Sequence, residues 1–319
     1  MSENAQAEVC ERVWHYTTRE GLAGILESNV LWARAANQTN DPEELLVGPE
    51  TLRELLDETS EDIDPQDVND VLAMVGGITV NTRYGAHLLS GCRQPDSLAM
   101  WRLYAGNTTG YAIVLDAKQP LFIRRQRPLT PEMVQAWSPV DSFGQERIKD
   151  WAASTSQTPW SWEDVVYEPS DLETKLREGL LALEETARLR RLKKPLVRDE
   201  LEIMADLGSL FRHVKHNHFE YEKEKRVVCM TMPGAEGPFV PVSFDGGPAN
   251  YVELGIPLDP TAALKDGKAE PVDRLPIVEI FAGPNGDPDY AKSLLQAHRY
   301  QGIQVSRSSV QFRIERGDR

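Results

Sequence analysis

The chain has 319 residues, 40% hydrophobic and 27% charged, which is ordinary for a soluble globular protein and enough for one large core or two modest ones. A net charge of −15 disfavours broad, non-specific nucleic-acid binding. No apolar run approaches the roughly 20 residues that span a bilayer, the acidic residues 1–11 lack the regions of a signal peptide, and Cys10, Cys92 and Cys229 form neither a disulfide framework nor a metal knuckle, so a reducing cytoplasm and no membrane partner are expected.

Arg12 to Thr17 alternates apolar and polar residues and predicts a first strand. It runs into a helix, with Thr17 and Glu20 at capping-box spacing, an apolar stripe of Leu22, Ile25 and Leu26, and Ser28-Asn29 as the stop. His15 therefore stands near a helix N-terminus, whose unpaired N–H groups suit a ligand, or it is a structural histidine bonded beside Thr17. Val30 to Ala33 is a second strand, followed by Asn40-Asp41-Pro42, which is turn chemistry first and a ligand clamp second.

Residues 49–75 read as two short helices, the second opened by Asp64-Pro65 and closed by Gly76-Gly77. Ile78 to Val80 and Ala86 to Cys92 read as strands, the latter ending at Ser90-Gly91-Cys92. Asp96 or Ser97 caps a short helix through Ala105, in which Met100, Trp101 and Tyr104 are spaced to share one side, as core residues or as a stacking surface. Gly110 to Asp116 is a buried strand.

Residues 118–162 have proline, tryptophan and basic residues but no sustained period, the texture of a surface insertion in a single domain of residues 1–319. Glu163 to Tyr167 returns to strand character. Ser170 to Leu192 is helical and ends in Arg188, Arg190, Arg191, Lys193 and Lys194, a patch for a nucleic acid or phosphate, or cations favoured by the helix dipole. The dipole reading is preferred. A helix from Leu196 to Val214 follows, then His213, His216 and His218, whose spacing lacks the carboxylate or cysteine of a zinc site, so no metal is expected.

The run from Phe219 to Val228 changes from charged to apolar and reads as a strand entering a core. Strand alternation places Glu222, Glu224 and Arg226 on one face. Three charges there need a cleft or a partner, because desolvating an unpaired charge is costly; a charged edge strand or a simple ion pair is the plainer account. Strands at Phe239–Phe244, Asn250–Ile256 and Leu275–Ala282, a helix from Asp289 to His298, and strands at Ile303–Ser306 and Val310–Ile314 complete a mixed α+β order.

Taken together, Trp14-His15-Tyr16-Thr17, Gly24-Ile25-Leu26-Glu27-Ser28, Asn40-Asp41-Pro42, Met100-Trp101-Arg102-Leu103-Tyr104-Ala105, Tyr221-Glu222-Lys223-Glu224 with Arg226, and Leu275-Pro276-Ile277-Val278-Glu279-Ile280 resemble the family known as domain of unknown function 2971. That family resembles, more distantly, the ADP-ribosyltransferase fold. Lys225 stands where an aromatic is common and His218 where a tryptophan is usual. The resemblance implies an α+β fold with a split, strongly bent β-sheet flanked by helices, gripping NAD as substrate. It implies His15 on a ribose hydroxyl, Tyr104 or Trp101 beside the nicotinamide, and Glu222 and Glu224 as a catalytic Glu-x-Glu pair. Tyr16, Thr17, Asn40, Asp41, Ser90 and Arg226 complete the expected NAD-binding set.

The residue chemistry agrees with that implication. Nicotinamide leaves as a neutral molecule, so the difficulty is the oxocarbenium-like cation left on the ribose. A fixed Glu224 stabilises that cation more than bound NAD. Glu222 orients or deprotonates the acceptor, and Arg226 holds a carboxylate or a pyrophosphate. The function implied is ADP-ribosyl transfer to a macromolecular acceptor, protein or nucleic acid, with the basic cluster at 188–194 as its candidate contact, or NAD hydrolysis. The alternative is a non-catalytic nucleotide-sensing or protein-binding module using the same cleft.

Overall fold

The computed structural model describes residues 11–39, 45–123, 159–167, 169–230, 242–244, 247–249, 251–256 and 274–312. Asn40, Asp41 and most of the expected insertion, residues 124–158, lie outside them.

The first strand, β1 (Arg12–Thr17), leads into α1 (Arg19–Ser28). The cap is Thr18, one residue later than the spacing suggests, and its side chain accepts a hydrogen bond from the Gly21 N–H. Asn29 ends the helix in the left-handed conformation at φ 56°, and its Oδ1 accepts from the Leu275 N–H and the Tyr300 hydroxyl, so the helix stop also ties down the C-terminal half. The chain continues through β2 (Leu31–Ala35), α2 (Val47–Thr59) and α3 (Pro65–Gly85).

α3 runs through Gly76 and Gly77, and Ile78 to Val80 are helical rather than extended. Val71, Met74, Val75 and Ile78 are all buried at helical spacing, and this packing outweighs a glycine penalty of about 1 kcal/mol. They share a core with Leu52 and Leu56 of α2, Leu176 and Leu183 of α5 (Pro169–Arg191), and Leu207 and Phe211 of α6 (Glu200–Arg212). Four helices thus form a unit with its own apolar interior.

The remaining elements are β3 (Ala86–Cys92), α4 (Leu98–Tyr104), β4 (Tyr111–Asp116), β5 (Phe122–Ile123), β6 (Glu163–Asp164), β7 (Glu224–Met230), β8 (Val242–Phe244), β9 (Gly247–Ala249), β10 (Tyr251–Gly255), β11 (Ile277–Ala282), α7 (Pro288–Ala297) and β12 (Gln304–Arg307). The strand expected from Val310 is not formed at residues 310–312. Instead Ser308 and Ser309 donate to the Asp96 carboxylate, pinning that segment beside α4.

Ten described strands make one mixed sheet, with the path β12-β11-β4-β1-β3-β2-β10-β5, with β7 on the other edge of β3 and with β6 beyond it on β7. β1 pairs along its whole length with β4, but with β3 only at Trp14 opposite Cys92. On that same edge of β3, β2 pairs at His87 and Leu88. Between these contacts, among the described residues, Leu89, Ser90 and Gly91 have no strand partner on that edge, although β7 pairs with them on the other. The sheet therefore opens between β1 and β2. Gly91 permits the crossing, because a Cβ there would stand 2.2 Å from a Val13 methyl.

One side of the sheet packs on α1 and α7 through Val13, Leu22, Leu26, Ile113, Ala291 and Leu295. The other side is covered by α4, through Trp14, Tyr16, Met100, Trp101, Ala112 and Val114.

Candidate functional site

The opening between β1 and β2 is the mouth of a cleft of ≈ 490 Å³, within the usual range for small-molecule and cofactor sites. Trp14, His15 and Tyr16 enter it from β1, Trp32 and Arg34 from β2, and Leu88 to Gly91 from β3. Met100 and Tyr104 come from α4, and Lys215, Phe219, Glu222 and Glu224 form its remaining wall.

The glutamates reach this wall by a different route from a continuous strand. Residues Asn217–Glu222 form a 3-10 helix, Lys223 is left-handed at φ 43°, and β7 begins only at Glu224. The turn at Lys223 lets both carboxylates face the cleft. Glu224 and Arg226 do share a strand face: Arg226 donates from Nε to Oε1 at 2.6 Å and from Nη2 to Oε2 at 3.0 Å. The guanidinium is 0% exposed and also donates to the Arg212 carbonyl at 3.1 Å. It therefore supports Glu224 from beneath and does not line the cleft.

Lys215 lies in front of both acids, its Nζ 2.7 Å from Glu222 Oε2 and 3.3 Å from Glu224 Oε2. The Tyr104 hydroxyl donates to Glu222 Oε1 at 2.7 Å. One hydrogen-bonded chain thus runs Tyr104, Glu222, Lys215, Glu224, Arg226. Its two carboxylates and two cations balance, which is how four buried charges are tolerated. Burial pushes the Glu224 carboxyl upward, but the Arg226 guanidinium, with Lys215 and Ser90, outweighs it and holds the group at about 2. Burial, with the negative charge of Glu222, raises the Tyr104 phenol, so it remains a donor.

His15 is half-buried, and its Nδ1–H donates to the Ser90 carbonyl at 3.0 Å. Burial holds the imidazole below its ordinary value against the raising effect of that bond. The neutral ring then offers Nε2 as an acceptor.

The other expected binding residues divide. Tyr16 lines the cleft, and its hydroxyl accepts from the Ser97 N–H. Thr17 does not line it; its hydroxyl packs at the first turn of α1, 2.1 Å from where a Gly21 Cβ would stand. Trp101 is a correction: it is 0% exposed, meets Tyr16 edge-on at 4.8 Å, and donates to Asp96 at 2.8 Å. On α4 the cleft-facing pair is Met100 and Tyr104, four residues apart, while Trp101 is turned about 100° away into the sheet.

The basic cluster ending α5 is remote from these residues in its contacts. Arg188 pairs with Glu185, Arg190 with Glu200, and Arg191 with Asp67 and Asp64, so it ties helices together. His213 donates to the Ser209 carbonyl, and among the described residues no group of three His, Cys, Asp or Glu is arranged for a metal. No helix of the described residues is long and apolar enough to cross a membrane.

Lys215, Phe219, Trp32 and Arg34 were missed from sequence. Lys215 follows a helix and gives no pattern to read. Trp32 and Arg34 did carry a signal, since they alternate with Leu31, Ala33 and Ala35 and so put a tryptophan on an open strand face.

No curated protein and no solved structure matches the chain. One family model does, and its match begins at Met100 and ends at Val227, leaving out His15 and β2. Residues 100–227, with the whole hydrogen-bonded chain from Tyr104 to Arg226, match the model of the family described as protein of unknown function (DUF2971).

Proposed function

We propose that the cleft binds NAD and that the chain transfers its ADP-ribosyl group, either to a macromolecular acceptor or to water. The observation that carries this reading is that a histidine from β1 and two glutamates some 200 residues later line one cleft with Tyr104. In the reaction, the bond from ribose C1′ to the pyridinium nitrogen breaks and its electron pair leaves with neutral nicotinamide. A bond forms between C1′ and the acceptor oxygen or nitrogen, whose proton passes to Glu222 and then to solvent. His15 accepts from a ribose hydroxyl at Nε2, and Tyr104 flanks the leaving ring. Glu224, kept ionised by Arg226 and Lys215, faces the cation that develops on the sugar.

A second reading has its own support. Every oxygen of both carboxylates already accepts a hydrogen bond, from Tyr104, Lys215 or Arg226, an arrangement equally suited to holding a nucleotide without turnover.

Incubation with NAD, following nicotinamide over hours, separates the two. Glu224→Gln should lower release by about 100-fold or more, the typical loss of an electrostatic stabiliser. This variant also uncovers two buried cations, so His15→Ala, which leaves the charge network intact, is measured beside it. It should lower release with a change in unfolding free energy of no more than about 1 kcal/mol, the usual worth of its one hydrogen bond. Release unchanged in both variants ends the transferase reading, and NAD binding without any release by the wild type favours the sensor.

A further inference from the structure

Trp32 and Arg34 line the cleft but have no part in the transfer step. They lie two positions apart on β2 and are exposed, whereas Leu31, Ala33 and Ala35 are buried, so both side chains leave the same strand face. Tyr251, paired with Arg34 in register, stacks its ring on Trp32 with centroids 4.5 Å apart and planes at 23°. Tyr251 is 6% exposed, yet Trp32 keeps 43% of its surface open. The indole is thus braced by Tyr251 and keeps exposed surface in the cleft it lines, a platform suited to another flat ring.

Arg34 differs from the other cations described above. Lys215 and Arg226 are consumed by Glu222 and Glu224, whereas among the described residues the Arg34 side chain makes no hydrogen bond or ion pair and is exposed on the cleft wall. In a chain of net charge −15 such a guanidinium points to an anionic ligand group. Glu253, opposite Trp32 in register, does not line the cleft.

We infer that Trp32 and Arg34 form an adenylate subsite, in which the purine stacks on the indole and the adjacent phosphate pairs with Arg34. Same-face positions on a strand are about 6.6 Å apart, the length scale of one nucleoside between its base and its 5′-phosphate. This rests on the NAD reading above and adds a direction to it: the nicotinamide ribose lies at Glu222 and Glu224, and the adenylate end lies along β2.

The test is calorimetry on the full chain with ADP-ribose, NAD and nicotinamide mononucleotide, using wild type, Trp32→Ala, Trp32→Phe and Arg34→Gln. Trp32→Ala should weaken ADP-ribose and NAD by about 10-fold or more, the usual effect of removing a base-stacking ring. It should leave nicotinamide mononucleotide unchanged, and Trp32→Phe should recover most of the loss. Arg34→Gln should weaken ADP-ribose. If Trp32→Ala does not fold, Trp32→Phe and Arg34→Gln carry the result, with Trp32→Phe expected between wild type and Arg34→Gln. Unchanged ADP-ribose affinity in the folded variants, or equal losses for ADP-ribose and the mononucleotide in the Trp32 variants, overturns the subsite while the NAD reading stands. A wild type that binds neither NAD nor ADP-ribose overturns both.

Discussion

Two charged clusters of similar composition have opposite environments in this molecule. At the end of α5, the side chains of Arg188, Arg190 and Arg191 stay 35–48% exposed, although Asp67, one of Arg191's partners, is itself buried. At the cleft, Lys215, Glu222, Glu224 and Arg226 are each less than 8% exposed at the side chain and depend on one another. The difference teaches that pairing alone does not mark a functional site. A solvated pair is worth little because water already satisfies its members, while a buried set is retained only where every member is compensated.

The largest expected effect removes one member of the buried set. Lys215→Met should lower the free energy of unfolding by about 3–5 kcal/mol, because two glutamates then share a single cation. Urea unfolding at neutral pH checks this, and a loss below about 1 kcal/mol would put the cleft in the same class as a surface pair.

Acid gives the next contrast. The folded Glu224 carboxyl sits at about 2 against an ordinary 4.5, so its stabilising contribution is complete above pH 4.5 and fades as pH falls from there towards 2. The stability gap between wild type and Glu224→Gln should therefore be widest near neutrality and shrink through that window. A gap constant from pH 6 to pH 2.5 would contradict the depressed carboxyl. The smallest effect belongs to the helix end, where Arg188→Gln should change stability by no more than about 0.5 kcal/mol. A much larger change would mean that the solvated cluster is not what its exposure implies.

Much of the frame was legible in the residues. β1 and β4 follow from alternation or continuous burial, and α1 and α7 from capping and period. Glu224 and Arg226 share a face because a strand forces residues two apart to do so. The joint placement of His15, Tyr104, Glu222 and Glu224 was legible only through resemblance, since no local rule brings β1 to β7. What escaped was decided by tertiary contact. α3 continues through two glycines because its apolar stripe has helices to meet. Trp101 and Tyr104 part company because α4 lies between a sheet and a cleft. Lys215 acquires its importance from partners seven and nine residues away, across a 3-10 turn that no periodicity announces.

The junction of the two strand groups carries one more lesson. β1 and β3 are laced together by a single residue pair, Trp14 with Cys92, and the thiol there is fully buried and raised to about 11. Few main-chain bonds cross this seam, so the ladders on either side are joined there chiefly by side-chain packing. Across the seam the two halves are held by one shared apolar cluster and by side chains that bridge the mouth, such as the imidazole of His15 reaching the Ser90 carbonyl.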